Sequence, residues 1–143
     1  MISLGSLIVG MNLPRSWFNY KSFPFRAFPW ERGGRIYERI NIRSWKTKVP
    51  DVSKHVKSML PKSINTRVTS ELAERMLAET CVAETVHGWL AVLGWGCVLV
   101  WRSKGGVIMG ALYALGNVPF ILIQRYNRPR QAALADALKE RGR

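Results

Sequence analysis

Residues 83–101 read AETVHGWLAVLGWGCVLVW, residues 106–124 read GVIMGALYALGNVPFILIQ, and only Arg102-Ser103-Lys104-Gly105 stands between them. Each stretch is nineteen residues long, and Glu84 is the one formally charged side chain in the pair. About 20 mostly apolar residues in a helix cross a hydrocarbon layer about 30 Å thick. In that layer the backbone must satisfy its own hydrogen bonds, which leaves helix as the form for both stretches. So short a link then turns them back on each other as an antiparallel hairpin. The competing reading, a buried hairpin in a water-soluble core, needs further apolar segments to cover it, and no other segment is apolar enough to do so. The expected fold class is an all-α membrane protein built on a transmembrane helical hairpin with basic interfacial and cytoplasmic helices, a single membrane domain over residues 1–143.

The charge distribution supports this division. The chain of 143 residues carries 22 Lys and Arg against 9 Asp and Glu, a formal charge of +13. Residues 14–80 contribute +8, the tail 125–143 contributes +4, and residues 81–124 contribute only +1. Because basic loops stay on the inner side of a membrane, both flanks are placed in the cytoplasm and residues 102–105 outside, in a multi-pass membrane protein. A basic surface at a membrane also accounts for the charge without nucleic acid, since RNP, KH and zinc-finger signatures are absent. Neither Cys81 and Cys97 nor any other residues give a metal-ligand spacing, so no metal and no cofactor is expected. On one continuous helix the two cysteines lie about 24 Å apart, too far for a disulfide.

Met1 to Leu13 is apolar but short. It lacks a basic n-region and a small-residue cleavage site, so it does not read as a signal peptide. A re-entrant piece, an oligomer contact and part of a third membrane span all fit it. Residues 17–30, WFNYKSFPFRAFPW, hold seven of the fifteen aromatics. Pro24 and Pro29 exclude one unbroken helix, and the rings suit either the headgroup layer or a small aromatic core. A turn is expected at Glu31-Arg32-Gly33-Gly34-Arg35, then a short helix over 36–46 broken near Asn41 and stopped at Pro50-Asp51. Residues 52–60, with a solvated His55, form a short amphipathic stretch. From Thr69, which can cap it, a helix with Glu71 and Glu74 in its first turns runs straight into the first span. In the second span Gly106, Gly110 and Ala114 recur every four residues, a stripe that lets another helix approach closely, although glycine is also generally frequent in such helices. Pro119 frees the carbonyl of Leu115, a place for a kink. A separate amphipathic helix is expected over 131–141, after Pro129.

Two groups of residues invite chemistry. Glu84 and His87 share a face at the inner end of the first span. A carboxylate that orients an imidazole makes a general base for a hydroxyl nucleophile, and ionisable groups at membrane depth suggest function. The alternative is that both mark the headgroup boundary. Asn117 and the run Gln124-Arg125-Tyr126-Asn127-Arg128-Pro129-Arg130 emerge on the same inner side. There the alternative is an anchor for lipid headgroups, but Gln, Tyr and Asn exceed what an anchor needs.

Three blocks together resemble the glycosyl-4,4'-diaponeurosporenoate acyltransferase family of small bacterial membrane proteins. They are Glu31, Gly34, Tyr37, Ile42-Arg43, Trp45-Lys46 and Pro50-Asp51; Glu79-Thr80 with Ala83-Glu84 and His87; and Asn117-Val118-Pro119 followed by QRYNRPR at 124–130. The N-terminal apolar stretch is shorter than the first span of that family. The resemblance implies esterification of a sugar hydroxyl on a glycosylated carotenoid by a fatty acyl chain, the closing step in staphyloxanthin-type carotenoid biosynthesis. A glycolipid acceptor and an acyl thioester donor would then meet at the bilayer surface. Read onto that reaction, His87 and Glu84 become the catalytic couple. Arg125 and Arg128 bind carrier phosphate or oxyanion; Asn117, Gln124 and Tyr126 hydrogen-bond sugar or thioester, with Asn127 and Arg130 in the same binding set; Trp45 stacks on the sugar. The alternative from another class is a non-catalytic membrane subunit or scaffold for a pigment- or lipid-modifying enzyme. A homo-oligomer would help so short a chain to complete a site.

Overall fold

The computed structural model describes residues 8–49 and 69–142. The expected features at 52–60, His55 and Pro50-Asp51 lie outside them, as do residues 1–7 of the apolar N-terminus. The described elements are a helical stretch at 8–12, a 3-10 turn at Arg15–Trp17, a 3-10 segment at Pro29–Ile40, and four further α-helices. These are α1 (Ile42–Trp45), α2 (Ser70–Gly94), α3 (Gly96–Val100) and α4 (Lys104–Arg141). No strand occurs among the described residues.

The hairpin is there. Thr69 is extended and its Oγ1 accepts from the Leu72 amide at 3.2 Å, the cap the sequence calls for. With no breaker in the run, α2 continues for 25 residues to Gly94. The first span is interrupted at Trp95 and resumes as α3. Ser103 caps α4, its Oγ accepting from the Gly106 amide at 3.4 Å. α4 is 38 residues long and contains both Pro119 and Pro129, so the tail is no separate helix. A proline inside a helix loses one hydrogen bond and crowds a carbonyl, at a cost of about 3 kcal/mol. Burial of Tyr126, Arg128 and Ala135 on either side of Pro129 provides packing that opposes this cost.

α2 and α4 pack antiparallel. At the inner end Leu77, Ala73 and Ala135 form a buried cluster joined by Tyr20, Ala132 and Leu138, and Lys139 pairs with Glu74. Toward the tip the backbones come close. A Cβ on Gly94 would stand 2.5 Å from Tyr113 Cδ1, and one on Gly110 3.2 Å from the Gly94 carbonyl. The Gly106–Gly110 face is thus buried against the partner helix, as the small-residue stripe suggests. Beyond this seam the outer half presents its apolar side chains outward, with Trp89, Leu93, Leu99 and Val100 on one strand of the hairpin and Ile108, Leu112 and Leu115 on the other. Only 12% and 17% of the most apolar windows of the two long helices are buried. A core helix of a water-soluble protein would be mostly covered. Helices this long, apolar and uncovered suit a lipid surround, and the protein is an all-α membrane protein.

Segments 8–49 wrap the inner end. Residues 8–12 are helical, and a Cβ on Gly10 would lie 3.3 Å from Val86. Arg15 fastens this piece: Nη1 donates to the carbonyls of Gly10, Met11 and Leu13, while Nε and Nη2 clasp Glu79 at 2.9 and 3.0 Å. The aromatic stretch is divided between the two readings the sequence allows. Trp17, Phe23 and Trp30 are exposed, whereas Phe25 and Phe28 turn inward over the guanidinium groups of Arg128 and Arg125. The turn falls where expected, with Arg32, Gly33 and Gly34 all left-handed. Gly34, at φ +87, disfavours any side chain: the backbone would be strained, and a Cβ would sit 3.1 Å from the Tyr126 carbonyl and from Arg130 Nη1. Asn41, at φ 53, breaks the next segment before α1. Tyr37, Ile42 and Tyr126 form the second core cluster, with Trp45 and Ile36 against it.

Candidate functional site

Three layers of polar residues stand along the α2–α4 interface, read from the inner end toward the tip. The first is Arg128, buried with its side chain 5% exposed. Its Nε donates to Thr80 Oγ1 at 2.9 Å, Nη1 to the Phe25 carbonyl at 2.8 Å, and Nη2 to both the Thr80 carbonyl and Glu84 Oε2 at 3.1 and 2.6 Å. The second is Arg125, whose Nε meets Glu84 Oε1 at 2.8 Å, Nη1 meets Glu31 Oε1 at 3.0 Å and Nη2 meets the Pro24 carbonyl at 2.6 Å. Glu31 also accepts from the Tyr37 hydroxyl and, at 2.6 Å, from the Phe28 amide. Burial alone pushes the Glu31 carboxyl up, but its bonds from Tyr37, Phe28 and Arg125 prevail and hold it below the usual carboxylate range. Burial first, then the bond and charge of Glu31, push the Tyr37 phenol well above its ordinary range. Two cations thus meet two carboxylates, and every guanidinium nitrogen has a partner.

The third layer is His87, three residues beyond Glu84 and so about 4.5 Å further along the helix axis. Its Nδ1 lies 2.9 Å from Asn117 Oδ1, and its ring stacks on Phe120 with centroids 4.4 Å apart. The Asn117 amide is oriented by its own donor, since Nδ2 gives a hydrogen bond to the Tyr113 carbonyl at 2.9 Å. An amide oxygen can only accept, which assigns the proton to Nδ1; in the neutral ring Nε2 then keeps the lone pair. Among the described residues no protein group bonds Nε2.

These contacts correct the sequence reading in two respects. Glu84 does not orient His87; both its oxygens face arginine, and Asn117 takes the orienting role. Residues three apart do share a helix face, but here that face looks across to α4, and the partner is chosen there. Likewise Arg125 and Arg128 are no open receptor for phosphate or oxyanion, because Glu31, Glu84 and backbone carbonyls consume their donors. They strap residues 24–31 to the hairpin.

The remaining candidates lie elsewhere. Trp45 packs on the Tyr126 cluster and donates from Nε1 to the Ile40 carbonyl at 2.9 Å. Asn127 accepts from Lys46 at 3.2 Å, and Arg130 reaches Glu38 and the Tyr126 carbonyl. Tyr126 itself is 2% exposed. Tyr126 follows Asn117 by nine residues, two and a half turns, which places it on the opposite side of α4. Gln124 is half-buried. Glu31, Thr80 and Phe120 join the site through tertiary contacts that no spacing in the sequence marks. A charge count hints at Glu31, since two buried arginines beside a single carboxylate demand a second one.

Beside the arginine layers a cleft of about 330 Å³ opens between Tyr20, Phe25, Glu31, Arg125, Arg128 and Pro129. A family model described as glycosyl-4,4'-diaponeurosporenoate acyltransferase matches residues 14–137. The protein of that name from Staphylococcus aureus strain MRSA252 is 30% identical over 146 residues, covering 99% of this chain and 86% of the relative. The one from strain N315 is 29% identical over the same shares. No solved structure matches the chain.

Proposed function

Because the chain belongs to the glycosyl-4,4'-diaponeurosporenoate acyltransferase family and is therefore an acyltransferase, we propose that it esterifies a sugar hydroxyl of a glycosylated carotenoid, or a similar glycolipid, with a fatty acyl chain. It does so as a single multi-pass membrane domain with its basic flanks on the cytoplasmic side. The acceptor's sugar rests in the headgroup layer, and the acyl chain stays in the bilayer beside the uncovered helices.

The observation that carries this reading is the bare Nε2 of His87, held in the base-competent tautomer by Asn117 and flattened against Phe120. Nε2 accepts the proton of the sugar hydroxyl as its oxygen bonds to the acyl carbonyl carbon. The carbonyl oxygen takes the negative charge, then the intermediate collapses and the carbon–sulfur bond of the thioester breaks. The imidazolium returns the proton to the departing thiolate. Asn117 Oδ1 stabilises the cationic ring throughout, the service first looked for in Glu84. The arginine–carboxylate layers hold the inner wall still while this happens.

The test is acylation by purified protein in detergent, with His87→Ala and Asn117→Ala compared after insertion and unfolding are shown to be normal. Loss of a positioned base lowers the rate about 10²- to 10⁴-fold, read as visible-absorbing carotenoid ester in a lipid extract. Full activity in His87→Ala removes the base assignment, and activity present only with a partner protein returns the chain to a scaffold role.

A further inference from the structure

Around Tyr126 the charges are arranged differently from those around Glu84. Arg43 Nε donates to the Tyr126 hydroxyl at 3.0 Å, the Arg130 guanidinium lies 3.7 Å from the ring centroid, and Lys46 Nζ lies 4.7 Å from it. Three cations therefore close on one buried ring. Among the described residues Glu38 alone opposes them, its Oε1 accepting from Arg43 Nη2 at 2.6 Å and from Arg130 Nη2 at 2.9 Å. Arg43 Nη1 and Arg130 Nε have no acceptor among the described residues, and the Arg43 side chain is 68% exposed.

The contrast with the inner layers is chemical. There, two arginines are neutralised by two carboxylates with all nitrogens engaged. Here, among the described residues, three cations face one carboxylate, and two guanidinium nitrogens are left without an acceptor. Like charges this close repel unless an anion joins them. Their forks are held in place beforehand, by Tyr126 beneath, by Glu38 between, and by the Gly34 backbone, which leaves room for Arg130. Preorganised guanidinium forks match the oxygens of a phosphate. Tyr126 stands two residues past the apolar stretch 106–124 and on the side of α4 away from Asn117.

We propose that Arg43, Lys46 and Arg130 form a binding site for a phosphate ester, the group shared by an anionic phospholipid headgroup and by the soluble carrier of an acyl thioester. The site goes beyond the acyl-transfer reading and does not depend on His87.

The protein in maltoside micelles, which contain no phosphate, is titrated calorimetrically with desulfo-coenzyme A in one arm. In the other, retention of phosphatidylglycerol is read by native mass spectrometry. Binding is expected in at least one arm, and that arm names the source. Arg43→Gln with Lys46→Gln, which spares the packed Arg130, weakens it about tenfold or more, as the loss of charge-assisted hydrogen bonds implies. Arg102→Gln with Lys104→Gln removes the same charge at the tip and leaves Kd unchanged. Absence of binding in both arms overturns the proposal, and so does equal weakening by the two double variants. Neither readout involves acyl transfer, so failure here and failure of the catalytic reading are separately visible.

Discussion

The two halves of one hairpin are held together by different forces. The inner half, from Leu77 and Ala135 to Glu84 and Arg125, buries its side chains and locks them with charge-assisted hydrogen bonds. The outer half, from Trp89 to Leu115, touches only along a glycine seam and leaves its large apolar side chains to the surroundings. In lipid, apolar surface gains nothing from being covered by protein, so close backbone contact and polar pairing do the joining. Where the helices emerge, the basic flanks add a wetter environment in which ion pairs and a small apolar core become useful. The proposed chemistry falls between the halves, where His87 and Asn117 form the last polar pair before the glycine seam.

The largest effect that would sharpen this contrast is at Arg128. Replacing it by Ala leaves Glu84 and Thr80 short of partners in a buried layer, at a cost of about 3–5 kcal/mol, seen as a lower midpoint in unfolding by dodecyl sulfate. Next, Gly94→Ala drives a methyl group into Tyr113 and should cost about 1–3 kcal/mol in the same titration.

The third test uses acidity. Since Glu31 is held below its ordinary range when folded, its contribution is fully present above the unfolded value of about 4.3 and is lost as pH falls through the lower folded value. The unfolding midpoint should therefore be level on that account above about pH 5 and decline in acid, and Glu31→Gln should flatten the decline while lowering the neutral value. The smallest effect is Leu99→Ala, within about 0.5 kcal/mol, because that side chain is 75% exposed and packs on little of the protein. A cost at Leu99 equal to that at Arg128 would break the comparison outright.

Much of the architecture was legible because it follows from local rules. Nineteen apolar residues twice over, a short polar link, Thr69 before a helix, Gly33-Gly34 in a turn and Asn41 at a break each act within a few residues of themselves, and each is found in place. Pro129 does not end the helix as its local penalty suggests, because Arg128 and Ala135 are packed around it. Glu84 and His87 depart from local expectation in a related way. Their spacing says they share a face, but a polar side chain bonds whatever lies opposite, and what lies opposite comes from a helix 30 to 44 residues later.

The sequence by itself determined that two helices pair in a membrane, which ends are basic, and which residues could carry a proton or a charge. Tertiary structure alone decided the partners: Asn117 for His87, Arg125 and Arg128 for Glu84 and Glu31, and Tyr126 as the floor beneath three cations. The reason is range. Helix formation and burial in lipid are set by composition over a window, whereas a hydrogen bond or ion pair exists only within about 3 Å, a distance that the chain fixes only once its far segments have been brought together.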